Sequence, residues 1–377
     1  MPVRWWSYAA LVATALVLAV PGTAGAAFSV QPSPNAFGGE NLLNGVSGSS
    51  PSDVWAVGSL CCSGRNFGRG TLTEHWNGSA WTIVPSPDVR LFDDRLNGVA
   101  ALSPVNAWAV GDIKQSGYRS GNPLIVHWDG SSWRTVPPPS GLTGGLRAVS
   151  ADSAGDLWAV GDDGHGQGVA LRLVGGTWVR VPVPHVSSDR LRGVKVFGPN
   201  DAWAVGDSGG STLVLHWNGA AWSVVPSPNP DGYSNILNAV DGVSGSDLWA
   251  VGQKGQNKSN TGVPPGTRTL ALHWNGRTFS EIAPPNVGDQ DSLSGVKAVA
   301  SAAVTVVGTY QDTVTGADRT LAVRWTSSGW RIRSTPNVGS DNLLRGITLP
   351  PRGLEFWVVG LHGTSGGAVE TLVLRGY

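Results

Sequence analysis

The side chains with the type and spacing to do chemistry are few. The only cysteines, Cys61 and Cys62, are adjacent, which rules out a conventional loop-closing disulfide. Three states stay open to them: a strained vicinal disulfide forming a small rigid plate suited to ligand contact, pairing between chains, or reduced thiols. Four of the seven histidines, His75, His127, His216 and His273, each precede a tryptophan, and Arg172, Arg324 and Arg375 take the matching position elsewhere. Arginine does not ligate zinc, so this column is read as structural hydrogen-bond donors, and no metal site is expected from it. Seven aspartates in polar connections, Asp93, Asp94, Asp189, Asp231, Asp289, Asp291 and Asp341, could hold Ca²⁺, although turn formation and solubility need the same residues. No other cofactor is implied. Nucleophile elbows, phosphate loops and metal-ligand clusters are missing, and the glutamates are only Glu40, Glu74, Glu281, Glu355 and Glu370. The remaining reactive or aromatic candidates for ligand contact are Arg65, Phe67, Arg69, Tyr118, Arg119, His165, Tyr233 and Tyr310.

What must position these residues is a repeat. An Asp or Asn, an apolar residue and Trp-Ala-Val-Gly occur together five times, ending at Gly58, Gly111, Gly161, Gly206 and Gly252. Degenerate copies end at Gly308 and Gly360, and the seven glycines lie 45 to 56 residues apart. That period belongs to the four-stranded blades of a β-propeller. The fold class is therefore all-β: seven blades of four antiparallel strands.

Each repeat supplies the strands in a fixed order. A first strand reads Leu-x-Gly/Ala-Val, as in Leu43-Asn44-Gly45-Val46, and should line a central channel; Trp-Ala-Val-Gly is the second. The third ends in apolar-His-Trp, and an Asn-Gly or Asp-Gly turn, such as Asn77-Gly78, leads to a fourth reading Trp-x-x-Val-Pro-x-Pro. The blades cover 43–87, 96–139, 146–184, 191–228, 237–286, 293–337 and 343–377. The last lacks a fourth strand, and residues 28–35, which match the fourth strand at 222–229, should close it.

Of the 18 tryptophans, Trp5 and Trp6 precede the repeats, and the rest fall on second, third or fourth strands. Such a row is a packing lattice between blades, each burial contributing about 4–6 kcal/mol gross. The His or Arg of the third strand should sit between blades and donate to the acceptor residue opening the second strand: Asp53, Asn106, Asp156, Asp201, Asp247 or Glu355.

Residues 1–26 carry a positive start, an apolar stretch at 9–20 and a small-residue cleavage site at Ala24-Gly25-Ala26, the pattern of a secretory signal peptide. The expected mature chain is a propeller over 27–377, secreted and extracytoplasmic, with no stable membrane insertion after cleavage. Lys plus Arg and Asp plus Glu balance at 26 each, with charged residues only 14% of the chain, which implies no basic face for nucleic acid. A monomer is expected.

The Trp-Ala-Val-Gly strand, followed by His127-Trp128-Asp129-Gly130-Ser131-Ser132-Trp133, resembles the Asp-box propellers, which include bacterial neuraminidase repeats and photosystem II assembly and stability factors. The resemblance covers 28–377. It departs in one respect: Asp129 and Trp133 are four residues apart where an Asp-box has five. Kelch-like repeats, as in the central domain of galactose oxidase, are similar but looser. The neuraminidase resemblance implies an arginine cluster and a Tyr with an acidic partner at the ring centre. First strands carry Arg147, Arg192 and Arg345, spread over blades three, four and seven, and no Tyr.

Two functions follow. The second-to-third-strand loops vary most, and variable loops on a rigid ring are where recognition sits. The first reading is a non-catalytic scaffold binding a protein or glycan through that face. The alternative is an extracellular hydrolase or lyase acting on a carbohydrate or small molecule at the channel mouth.

Overall fold

The computed structural model describes residues 27–36, 39–61, 69–88, 93–114, 121–230, 234–255 and 266–377. Among these, 28 strands make seven antiparallel sheets of four. In blade one the first strand is Asn41–Ser50, the second Asp53–Cys61, the third Arg69–Trp76 and the fourth Trp81–Ile83. The other blades repeat this order. Phe28–Gln31 is the outermost strand of blade seven, with Phe28 opposite Gly376 and Val30 opposite Leu374, so the two ends of the propeller share one sheet.

Burial explains why the second strand is apolar throughout. Both of its faces are covered by adjacent blades, and residues 53–59 of blade one are all buried. The apolar core is divided accordingly into seven clusters, each spanning two neighbouring blades. Each second-strand Trp wedges into the next blade. Trp55 packs on Trp128 and Trp133 at centroid separations of 4.9 and 5.0 Å, and Trp158 on Trp217 and Trp222 at 5.0 and 4.9 Å. Between blades six and seven the wedge position holds Thr305, and Phe28 stands where blade five places Phe279 and the other five blades a fourth-strand Trp. The closing strand thus brings its own aromatic to the seam.

The glycine of Trp-Ala-Val-Gly has a steric cause. A bulge in the first strand, between Leu191 and Gly193 in blade four, turns the Arg190 carbonyl toward Gly206, where a Cβ would overlap that oxygen. Gly206→Ala is expected to cost on the order of 3 kcal/mol, because backbone on both sides must move. Urea denaturation checks this; an unchanged midpoint would count against the steric account.

The Asn-Gly and Asp-Gly hairpins between third and fourth strands are longer than a two-residue turn. Trp76 pairs directly with Trp81, leaving four loop residues. Only the glycine takes positive φ, 97° at Gly78. Asn77 serves as an acceptor instead, its Oδ1 receiving the Ser79 and Ala80 N–H at 3.0 Å each.

Candidate functional site

The third-strand histidines are held within their own blades. His75 Nε2 lies 2.7 Å from Asp53 Oδ1, His127 2.9 Å from Asn106 Oδ1, His216 2.9 Å from Asp201 Oδ1 and His273 2.8 Å from Asp247 Oδ1. Each imidazole also packs on the second-strand Trp, 4.4 Å for His75 on Trp55. The bond therefore ties second to third strand, while the ring occupies the face turned to the next blade. Arg172 does both jobs, donating to Asp156 at 3.0 Å and to the Pro199 carbonyl of blade four at 3.3 Å. Burial lowers the His127 pKa against the opposing pull of Asp129, which favours the neutral ring.

Several loop candidates fall outside the described residues: Arg65, Phe67, Tyr118, Arg119, Tyr233 and Cys62. Two others are strand residues rather than loop residues. Arg69 opens the third strand of blade one and pairs with Glu40 at 2.7 Å, and Tyr310 lies in the second strand of blade six, half-buried against its core. The strands run further than their signature motifs, which takes both residues out of the variable loops. His165 is exposed in a turn, its N–H donating to Asp163 Oδ1. Cys61 ends the second strand of blade one, with its N–H bonded to the Glu40 carbonyl at 2.7 Å.

Most of the connection aspartates that are described organise backbone. Asp291 accepts the Val287 and Gly288 N–H groups at 3.0 Å each, Asp189 accepts those of Val186 and Ser187, and Asp341 accepts that of Asp318. Asp93 accepts the Arg69 N–H, Asp94 is fully buried and Asp231 lies outside the described residues. Among the described residues no three His, Cys, Asp or Glu side chains gather as a metal-ligand set.

The channel brings together what the chain separates. The residue after the first-strand Leu is Asn44, Asn97, Arg147, Arg192, Asn238, Ser294 and Arg345 in blades one to seven, and all seven line one recess of about 270 Å³. It widens toward the variable-loop face into a further space of about 360 Å³, also lined by Ser292 and Thr309. The three arginines, expected to be scattered over blades three, four and seven, thus share one opening. The asparagines clasp neighbouring blades: Asn44, Asn97 and Asn238 donate to the carbonyls of Leu96, Leu146 and Leu293 at 2.8–2.9 Å. Arg147 pairs with Asp162 at 3.3 Å and Arg192 with Asp207 at 2.8 Å, both carboxylates standing behind the lining.

Arg345 differs from these two. It donates to Asn44 Oδ1 at 3.1 Å and has no carboxylate partner among the described residues. Its side chain opens to the lumen, but protein surrounds the lumen. Desolvation, then repulsion from Arg95 and Arg69, lowers its pKa below the usual arginine range. It remains charged at neutral pH. The mouth therefore offers N–H and O–H donors and an uncompensated cation.

No protein-family model matches the chain, and no curated protein matches it. Solved structures do. The chain is similar to YCF48 bound to D1 peptide, with 16% identity and a TM-score of 0.58 over 96% of this chain and 98% of that one. The chain is a seven-bladed β-propeller. This propeller is also similar to YCF48 from Cyanidioschyzon merolae, at 14% identity and TM-score 0.56 over 93% and 99% of the two chains. Virginiamycin B lyase from Staphylococcus aureus matches at 14% identity and TM-score 0.56 over 92% and 99%. At such identities the likeness concerns the fold alone.

Proposed function

We propose that the propeller is exported and acts as a non-catalytic binding protein, holding an anionic segment of a protein or glycan at the channel mouth on the variable-loop face. The observation that carries this reading is Arg345, a guanidinium with no carboxylate partner among the described residues, which shares with Arg147 and Arg192 a recess whose other polar groups include amides and hydroxyls. A carboxylate or sulfate entering there would meet charge-assisted donors at little cost of reorganisation. The YCF48 structure holding a D1 peptide is in keeping with protein binding by this fold. A hydrolase or lyase would need an acid–base pair at the mouth, whereas its described lining is Asn, Arg, Ser, Thr and apolar residues. Export is supported by position: Phe28, which pairs with Gly376, begins its strand two residues beyond the cleavage site after Ala26.

The test is a screen of the chain on arrays of acidic glycans and acidic peptides, repeated with Arg345→Gln. Binding to anionic members is expected, with affinity lowered about tenfold or more by the substitution, since a hydrogen bond to a charged group contributes about 1.5–3 kcal/mol. Capture of neutral members alone, or of none, would refute the reading.

A further inference from the structure

The opposite end of the channel is a second, larger recess of about 500 Å³. A ring of β-branched residues, Val46, Val99, Val149, Val194, Val240, Val296 and Ile347, lines both recesses and forms the waist between them. Beyond the waist, the next residue of each first strand is small or a hydroxyl in blades one, two, three and seven. In blades four, five and six it is Lys195, Asp241 and Lys297.

Asp241 is buried, and its role in the fold is plain: Oδ2 accepts the Ala298 N–H of the next blade at 2.9 Å, as Ser47 and Ser150 accept those of Ala101 and Val196. Lys195 Nζ lies 2.8 Å from Asp241 Oδ1 and Lys297 Nζ 3.0 Å from Oδ2. Both ammonium groups, with the opposing effect of burial, hold the Asp241 carboxyl ionised. One lysine would balance that charge; within this triplet the second leaves a cation over, offset in the lining only by Asp152. An ammonium carries three donors, and one bond to Asp241 leaves two on each lysine. The Ser47 and Ser150 hydroxyl hydrogens also lack an acceptor among the described residues. The other carboxylate of the lining, Asp152, has its Oδ1 engaged by the Ala154 and Asp156 N–H groups in the rim loop of blade three.

We infer that this recess is a separate site for a small organic carboxylate, the anion between Lys195 and Lys297 and the apolar body against the valine waist. Its volume lies within the usual range for small-molecule sites, roughly 300–1,000 Å³. Blade packing explains Asp241 and one lysine, and Lys195 Nζ also lies 5.5 Å from the centre of the Phe197 ring; neither contact accounts for two ammonium groups lining the recess or for its apolar floor.

The test is ¹⁹F NMR titration of the full chain with 4-fluorobenzoate, using neutral 4-fluorobenzamide as control. Saturable binding of the anion alone is expected. Lys195→Met and Lys297→Met should each weaken it about tenfold, while Arg345→Gln at the other mouth leaves it unchanged. Each lysine variant keeps one ammonium on Asp241, so folding should persist. Asp241→Asn keeps the acceptor for Ala298 N–H and releases both lysines, and should bind more tightly, an outcome a purely structural cluster would not give. No saturable binding by the parent, binding that survives both lysine substitutions, or loss confined to Arg345→Gln would each overturn the proposal.

Discussion

Glu74→Leu is expected to stabilise the propeller by at least about 3 kcal/mol at pH 7, with a gain that grows as pH rises. Glu74 sits in the third strand of blade one, where the other blades place Val126, Leu171, Leu215, Leu272, Val323 and Leu374. It is fully buried between Leu72 and Trp76, on the face that packs against Trp357 of blade seven, and neither carboxyl oxygen has a hydrogen-bond partner. Arg375, the cation of this seam, is engaged by Glu355. Desolvation pushes the Glu74 pKa from 4.5 up to about 8. The folded chain therefore holds a proton that the unfolded chain releases. Stability contributed by the neutral acid is complete below about pH 4.5, falls by about 1.4 kcal/mol per pH unit, and is lost above about pH 8. Urea midpoints across that range should diverge steadily between parent and Glu74→Leu. Glu74→Gln should remove the slope while leaving a buried amide unsatisfied. Parallel curves for parent and leucine variant would show that the folded chain holds no extra proton at Glu74.

The second large effect concerns the wedges. Trp158→Ala should destabilise the ring by about 3–5 kcal/mol, since the indole is fully buried between Trp217 and Trp222 and carries the Arg172 guanidinium 5.6 Å from its ring centre. Chemical denaturation with an unchanged m-value would assign the loss to packing. A cost under about 1 kcal/mol would mean that blades three and four are held by their backbone alone.

Most of the fold was readable because a repeat aligns itself. The Trp-Ala-Val-Gly glycine, the strand order and the pairing of Phe28–Gln31 with the C-terminal strand all follow from columns of equivalent residues. The site was harder, since function lies in departures from those columns. Arg147, Arg192 and Arg345 looked dispersed because they are distant along the chain, yet each follows the first-strand Leu, and a ring makes one column one layer. The same reading down the column would have found Lys195, Asp241 and Lys297, and the single acid among aliphatic residues at Glu74. Tyr310 and Arg69 are strand residues that the motifs do not reveal: ladder pairing carries the strands beyond their apolar signatures, with Tyr310 opposite Asp291 and Arg69 opposite Cys61. Asn and Asp suit such turns by tolerating positive φ, yet Asn77 and Asp129 act here by accepting N–H groups.

The central claim is that the channel mouth recognises an anion through its arginines. Isothermal titration of the strongest array ligand into the parent and into an Arg192→Gln/Arg345→Gln variant, at low and high salt, tests it most directly. The expected result is a loss of affinity on the order of 100-fold in the variant, together with loss of most of the salt dependence. Equal affinity and equal salt dependence in parent and variant would contradict it.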